Sequence, residues 1–149
     1  MTLDITATAA LWFLPFALPI GLWVAWNDMA FMKIPNKAVL ALTAIYAVVG
    51  LIALPLDVWA WQWLHLVVVL VIGFLLNMGG LIGAGDAKFA AAMAPFINIG
   101  DVSLACYIYV AASLGALAAH RTLRRIPAVR AAAPQWKSWD QKKFPMGLA

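Results

Sequence analysis

The spacing of charge along this chain constrains its fold more than any other feature. Asp, Glu, Lys and Arg are absent from residues 5–27, 38–56, 58–85, 89–100 and 102–120. A helix that crosses the hydrocarbon core of a bilayer needs about 20 predominantly apolar residues. The first, second and fifth stretches are near that length. The third, at 28 residues, is too long for one crossing, and the fourth, at 12, is too short unless it borrows neighbours. The chain is 66% hydrophobic and 11% charged, whereas soluble domains are about half apolar and a quarter charged. Eight Trp suit a headgroup layer that favours the amphipathic indole. The sequence therefore predicts an all-α, polytopic membrane helix bundle.

The basic residues set its orientation. Lys33 and Lys37 lie between the first two stretches, Lys88 between the third and fourth, and the other seven after the fifth. If all five stretches cross, all ten Lys and Arg fall on one side, the cytoplasmic one by the positive-inside rule. Asp4, Asp57 and Asp101 then fall outside. If 89–100 did not cross, the fifth span would carry seven basic residues outward, so the short crossing is the better reading. The expected spans are about 9–26, 38–56, 58–78, 86–100 and 102–119, in one domain over 1–149, with the N-terminus outside. Pro15 and Pro19 suggest a kink in the first helix, tolerable where neighbours satisfy the freed backbone groups. Residues 120–143 read as a basic cytoplasmic segment lying on the anionic inner leaflet. The N-terminus carries no Lys or Arg ahead of its apolar run and does not read as a cleaved signal peptide.

Several chemistries are excluded early. One cysteine, Cys106, and two histidines leave no disulfide and no Cys/His zinc cluster. No Ser–His or Cys–His arrangement is evident around His65 or His120. All six acidic residues are aspartates, and three of them fall on the basic side. Asp140 sits in the polar tail, while Asp28 and Asp86 sit where an apolar run meets the cytoplasmic face. A carboxylate at the membrane edge is costly and usually faces a partner or a water-filled cavity. Either one alone is also explained by a helix end. Two close carboxylates, however, share a proton, so one can take a proton from water while the other donates to a carbonyl. That is the chemistry of an aspartic protease.

Asp86 also follows a run of glycines at 79, 80, 83 and 85. Such a run weakens helix and permits close approach of another backbone. Small residues that pack helices together explain Gly79 and Gly83 equally well, but not an aspartate placed directly after Gly85. A loosened segment beside a carboxylate would suit an enzyme that receives its substrate as extended chain.

These residues carry a resemblance. "GAGD" at 83–86, followed by Ala87 and Lys88, resembles the GxGDxK motif of the type IV prepilin peptidases, membrane aspartic proteases. "DMAFMKIPN" at 28–36 is similar to that family's first motif. The match resembles the compact members that serve tight-adherence (Flp-type) pili and lack the zinc-binding, methyl-transferring domain. The resemblance implies that Asp28 and Asp86 are the catalytic pair and that Gly83 and Gly85 shape the loop. It places Lys88 beside the second aspartate and makes Ile34, Pro35 and Asn36 the start of the second helix. Physically, Pro35 suits a first helical turn, Asn36 can bond a free backbone N–H there, and Lys88 reads as a membrane anchor.

The implied function is removal of the leader from prepilin-like or pseudopilin substrates, after a Gly at the cytoplasmic edge of the pilin's hydrophobic segment. The implied location is the bacterial inner membrane. No cofactor, metal or nucleic acid is implied. Partners would be the substrate, membrane lipids and the pilus assembly machinery. Two features depart from the family pattern. "MAFM" at 29–32 is less basic than the usual first loop, and "FPMGLA" at 144–149 looks like the opening of a sixth span that is then cut off. Two other classes remain open. A small transporter or proton relay would use the same aspartates but would favour further ionisable groups within its spans. A non-catalytic pilus or secretion assembly factor is the other.

Overall fold

The structure is a computed structural model that describes residues 4–140 and 147. Among these residues six α-helices follow one another: α1 (Ala7–Phe31), α2 (Asn36–Ala53), α3 (Leu56–Met78), α4 (Ala84–Met93), α5 (Val102–Leu123) and α6 (Pro127–Ala132). Short 3-10 turns occupy Ala94–Phe96, Ile99–Asp101 and Lys137–Trp139. Among the described residues there is no strand. Among the described residues, four segments are long and apolar enough to cross a membrane: α1, α2, α3 and Ile99–Leu123. Their outward faces carry large apolar side chains, including Leu11, Leu40, Phe74 and Tyr107. Among soluble proteins such an expanse would aggregate, whereas lipid covers it without cost. The molecule is an all-α membrane helix bundle.

Thr6 starts α1, its hydroxyl accepting the Ala9 N–H at 3.2 Å, which satisfies one of the donors a helix start leaves unpaired. The helix then runs unbroken through Pro15 and Pro19. It ends at Met32, which adopts a left-handed conformation (φ 55°) and donates its N–H to the Asp28 carbonyl at 2.9 Å. Left-handed backbone is uncommon for a non-glycine residue. α3 ends where the glycine run begins. Gly80 has φ 72°, its N–H reaches the Asn77 carbonyl, and the Leu81 N–H reaches Leu76. This is the double bond of a Schellman C-cap, which a residue without a Cβ accommodates best.

The fourth stretch differs in form from a span over 86–100. α4 is ten residues long and gives way to 3-10 structure at Pro95. The pyrrolidine ring has no N–H for an i−4 bond and clashes with that carbonyl. The segment nevertheless runs back along α3. Ala87 packs on Gly73, where an added methyl would lie 2.9 Å from the Ala87 Cβ. Further along, His65 Nδ1 donates to the Ile97 carbonyl at 3.0 Å and the Gln62 amide donates to Asn98. The return leg ends at Asp101, whose carboxylate accepts the backbone N–H groups of Asp4 and Ile5 at 3.0–3.1 Å. Asp4 and Asp101 therefore share one end of the bundle.

The core is small and aromatic. Phe13, Tyr46 and Val49 are buried, with Trp59, Trp63 and Phe96 packed around them. Phe96 meets the rings of both Phe13 and Tyr46 edge-on, an arrangement the ring quadrupoles favour. The Tyr46 hydroxyl lies 2.9 Å from Gln62 Oε1 and 3.0 Å from the Trp59 carbonyl, so the polar groups buried here are partnered.

Part of the segment after α5 packs on the bundle. Ser138 and Trp139 are fully buried. Trp139 stacks on His120 and on Trp136, and Trp136 meets Trp26 of α1 edge-on. Arg130 pairs with Asp140 at 3.0 Å. Apart from Gly147, the opening of a further span at 144–149 lies outside the described residues, as do Lys142 and Lys143.

Candidate active site

Asp28 belongs to the last turn of α1 and is buried, 6% exposed. It is not a solvated helix end: Met29 and Ala30 beside it are buried too. One oxygen of its carboxylate accepts the Gly147 N–H at 2.7 Å. Asp86 lies in the first turn of α4, half-buried. Its carboxylate turns back on Gly83, the residue preceding the helix, where an added methyl would meet Asp86 Oδ2. An acidic side chain at this third helical position lies where one half of a capping box would form. Gly85, next to Asp86, packs on Ile34 in the turn that follows α1, so the end of α1 that carries Asp28 and the start of α4 that carries Asp86 lie at the same end of the bundle. The fold thus brings together two acids that are far apart in sequence.

The remaining motif residues surround this pair. Gly85 packs on Ile34, where an added methyl would meet the Ile34 Cβ at 3.3 Å. The turn between α1 and α2 is thereby seated against the start of α4. Pro35 is the cap residue of α2 and Asn36 its first helical residue, so Pro35 stands one position earlier than a first-turn proline. No side chain caps that helix, and the ring's fixed φ alone sets the entry. Lys88 is exposed. Among the described residues the ion pair is Arg130–Asp140, so Lys88 acts on Asp86 by no direct pairing.

Two carboxyls at one end of a bundle, at the mouths of two helices, can activate water and protonate a carbonyl oxygen. A family model for the type IV leader peptidase family matches residues 9–120, a span that contains both aspartates. The chain belongs to the type IV leader peptidase family. Its activity class is therefore that of a membrane peptidase acting on leader-bearing, prepilin-like proteins. Comparison with curated proteins and with solved structures gave no significant match.

No group of three or more His, Cys, Asp or Glu among the described residues could hold a metal ion. A cavity of about 450 Å³ opens at the other end of the bundle, lined by Asp4, Asp57, Trp61, Gln62, His65 and Asn98, among others. It is separate from the aspartate pair. Sequence reasoning did not anticipate the roof over Asp28 built from Ser138, Trp139 and Gly147. Its only signal was a pair of Trp three residues apart in an otherwise polar segment.

Proposed function

We propose that this protein is an aspartic endopeptidase that cleaves the leader from Flp-type pilin or pseudopilin substrates at the cytoplasmic face of the inner membrane. The observation that carries the reading is the convergence of Asp28 and Asp86 on one end of the bundle. In the proposed reaction one carboxylate takes a proton from a water whose oxygen attacks the scissile carbonyl carbon. The other carboxyl protonates the carbonyl oxygen, giving a neutral tetrahedral diol. Collapse of that diol breaks the C–N bond as a proton passes to the leaving amine. Two carboxyls and a water complete the balance.

The side of cleavage follows from charge. Lys33, Lys37 and Lys88 flank the site, and the basic segment after α5 packs on α1 beside Asp28. Five passes of the chain, with 84–101 as the short fourth, put the site inside and Asp4, Asp57 and Asp101 outside. A prepilin held by its hydrophobic helix presents its basic leader on that same side. Gly83 and Gly85 keep the approach to Asp86 clear of side chains, while Ile34, Pro35 and Asn36 hold the facing turn. A proton relay is less well supported. Its outer titratable group would be His65, yet α3 and α4 meet between His65 and Asp86 at Gly73 and Ala87, which carry no proton.

The test is direct. Purified protein in detergent or nanodiscs, incubated with a Flp-type prepilin, should release the leader at a single peptide bond. An intact prepilin under conditions where a known leader peptidase cleaves it would refute the reading.

A further inference from the structure

We infer that Gly147 is a positioning residue of the active site, its N–H held on the Asp28 carboxylate. The inference rests on the proposed role of Asp28. Gly147 lies outside the residues the family model matches and 119 positions from Asp28 in sequence.

The physical case begins with burial. A carboxylate as enclosed as Asp28 is costly unless hydrogen-bond donors replace the water it has lost. Among the described residues, the donor to its side chain is the Gly147 N–H, at 2.7 Å. Bonds to an ionised acceptor are shorter and about twice as strong as neutral ones. A donor fixed on Oδ2 also holds the plane of the carboxylate. The approach is close. A methyl at position 147 would lie 3.0 Å from both Cβ and Oδ2 of Asp28 and 3.2 Å from Val24 Cγ1.

The surrounding roof is anchored rather than loosely laid. Ser138 is fully buried, with its Oγ 3.9 Å from the Met29 sulfur, next to Asp28. Trp139 is wedged between His120 of α5 and Trp136, which in turn abuts Trp26 of α1. The roof thus ties the end of α5 to the turn of α1 that carries Asp28.

The experiment uses the full chain and compares the wild type with Gly147→Pro, which deletes the N–H, and Gly147→Ala, which keeps it but adds the crowding methyl. Gly115→Ala is the control, because a methyl there meets nothing within 4 Å. Both Gly147 variants should lose about 10- to 100-fold in kcat, the scale of a small misplacement of a reacting group. KM should stay within about twofold, since substrate binding is untouched. A second readout does not need activity. The rate at which dicyclohexylcarbodiimide labels Asp28, followed by mass spectrometry, should change in Gly147→Pro and not in Gly115→Ala. Unchanged kcat and unchanged labelling would overturn the inference, as would a raised KM with kcat intact, which would make Gly147 a substrate contact. If Gly147→Pro does not fold, the kcat and labelling of Gly147→Ala decide alone. If the wild type cleaves no prepilin, the functional reading fails while the labelling result still judges the contact.

Discussion

The carboxylate of Asp101 holds the backbone N–H of Asp4 across 97 positions of sequence, closing the chain's return to its starting end. Both oxygens of Asp101 are used, and the Ile5 N–H adds a third bond. Replacing Asp101 with Ala leaves these donors without their acceptor, a loss of about 1–3 kcal/mol. Thermal unfolding in detergent should register it. Asp101→Asn, which keeps one oxygen, should fall between the two; a melting temperature for Asp101→Ala equal to wild type would show that the contact contributes nothing.

Asp28→Asn and Asp86→Asn should each reduce leader cleavage by at least about 100- to 10,000-fold, the range that positioned proton transfer supplies. A single remaining carboxyl cannot act as both acid and base. Both variants should still insert in the membrane, since neither change adds charge or bulk. Full cleavage by either one would remove the aspartic mechanism.

Contact between α3 and α4 at Gly73 sets where Asp86 stands. Gly73→Ala forces a methyl to within 2.9 Å of the Ala87 Cβ, one residue from Asp86. Overpacking of this kind costs about 1–3 kcal/mol. The variant should melt lower and also turn over more slowly, whereas a change elsewhere on α3 that only destabilises should leave kcat intact below its melting point. A variant with wild-type kcat would uncouple the helix contact from the site.

Topology is open to chemical test. In a Cys106→Ala background, single cysteines replacing Ala84 or Lys33 should react with a membrane-impermeant maleimide only from the cytoplasmic side, and those replacing Asp57 or Ile99 only from the outside. Ile99 is the better outer probe than its neighbour Asp101, because it is 75% exposed while Asp101 is buried in its hydrogen bonds. Labelling of Ala84→Cys from outside would reverse the proposed cleavage side.

Much of this arrangement was legible in the sequence, for physical reasons. Charge is expensive in lipid, so the uncharged intervals outline the long helices. The membrane-edge cost of a carboxylate points to Asp28 and Asp86, which stand at the end of α1 and the start of α4. Pattern failed where the deciding interaction is tertiary. Pro95 is visible in the sequence, but not that the chain would continue along α3 after the helix broke, guided by Gln62 and His65. Composition marks the segment after α5 as polar and basic. Its structure is decided by two indoles and a histidine finding one another, and no periodicity records that.

The segregation of charge has an electrical consequence. Lys33, Lys37 and Lys88 stand at the site's end, while Asp4, Asp57 and Asp101 stand at the other, so the molecule is a dipole threaded through an insulator. In an energised membrane, negative inside, carrying one elementary charge across costs or gains about 2.3 kcal/mol per 100 mV. Turning the bundle over would move cations outward and anions inward, and every one of those displacements runs uphill. On the proposed topology, the membrane voltage therefore opposes inversion of the bundle and favours the orientation with the site's end inside.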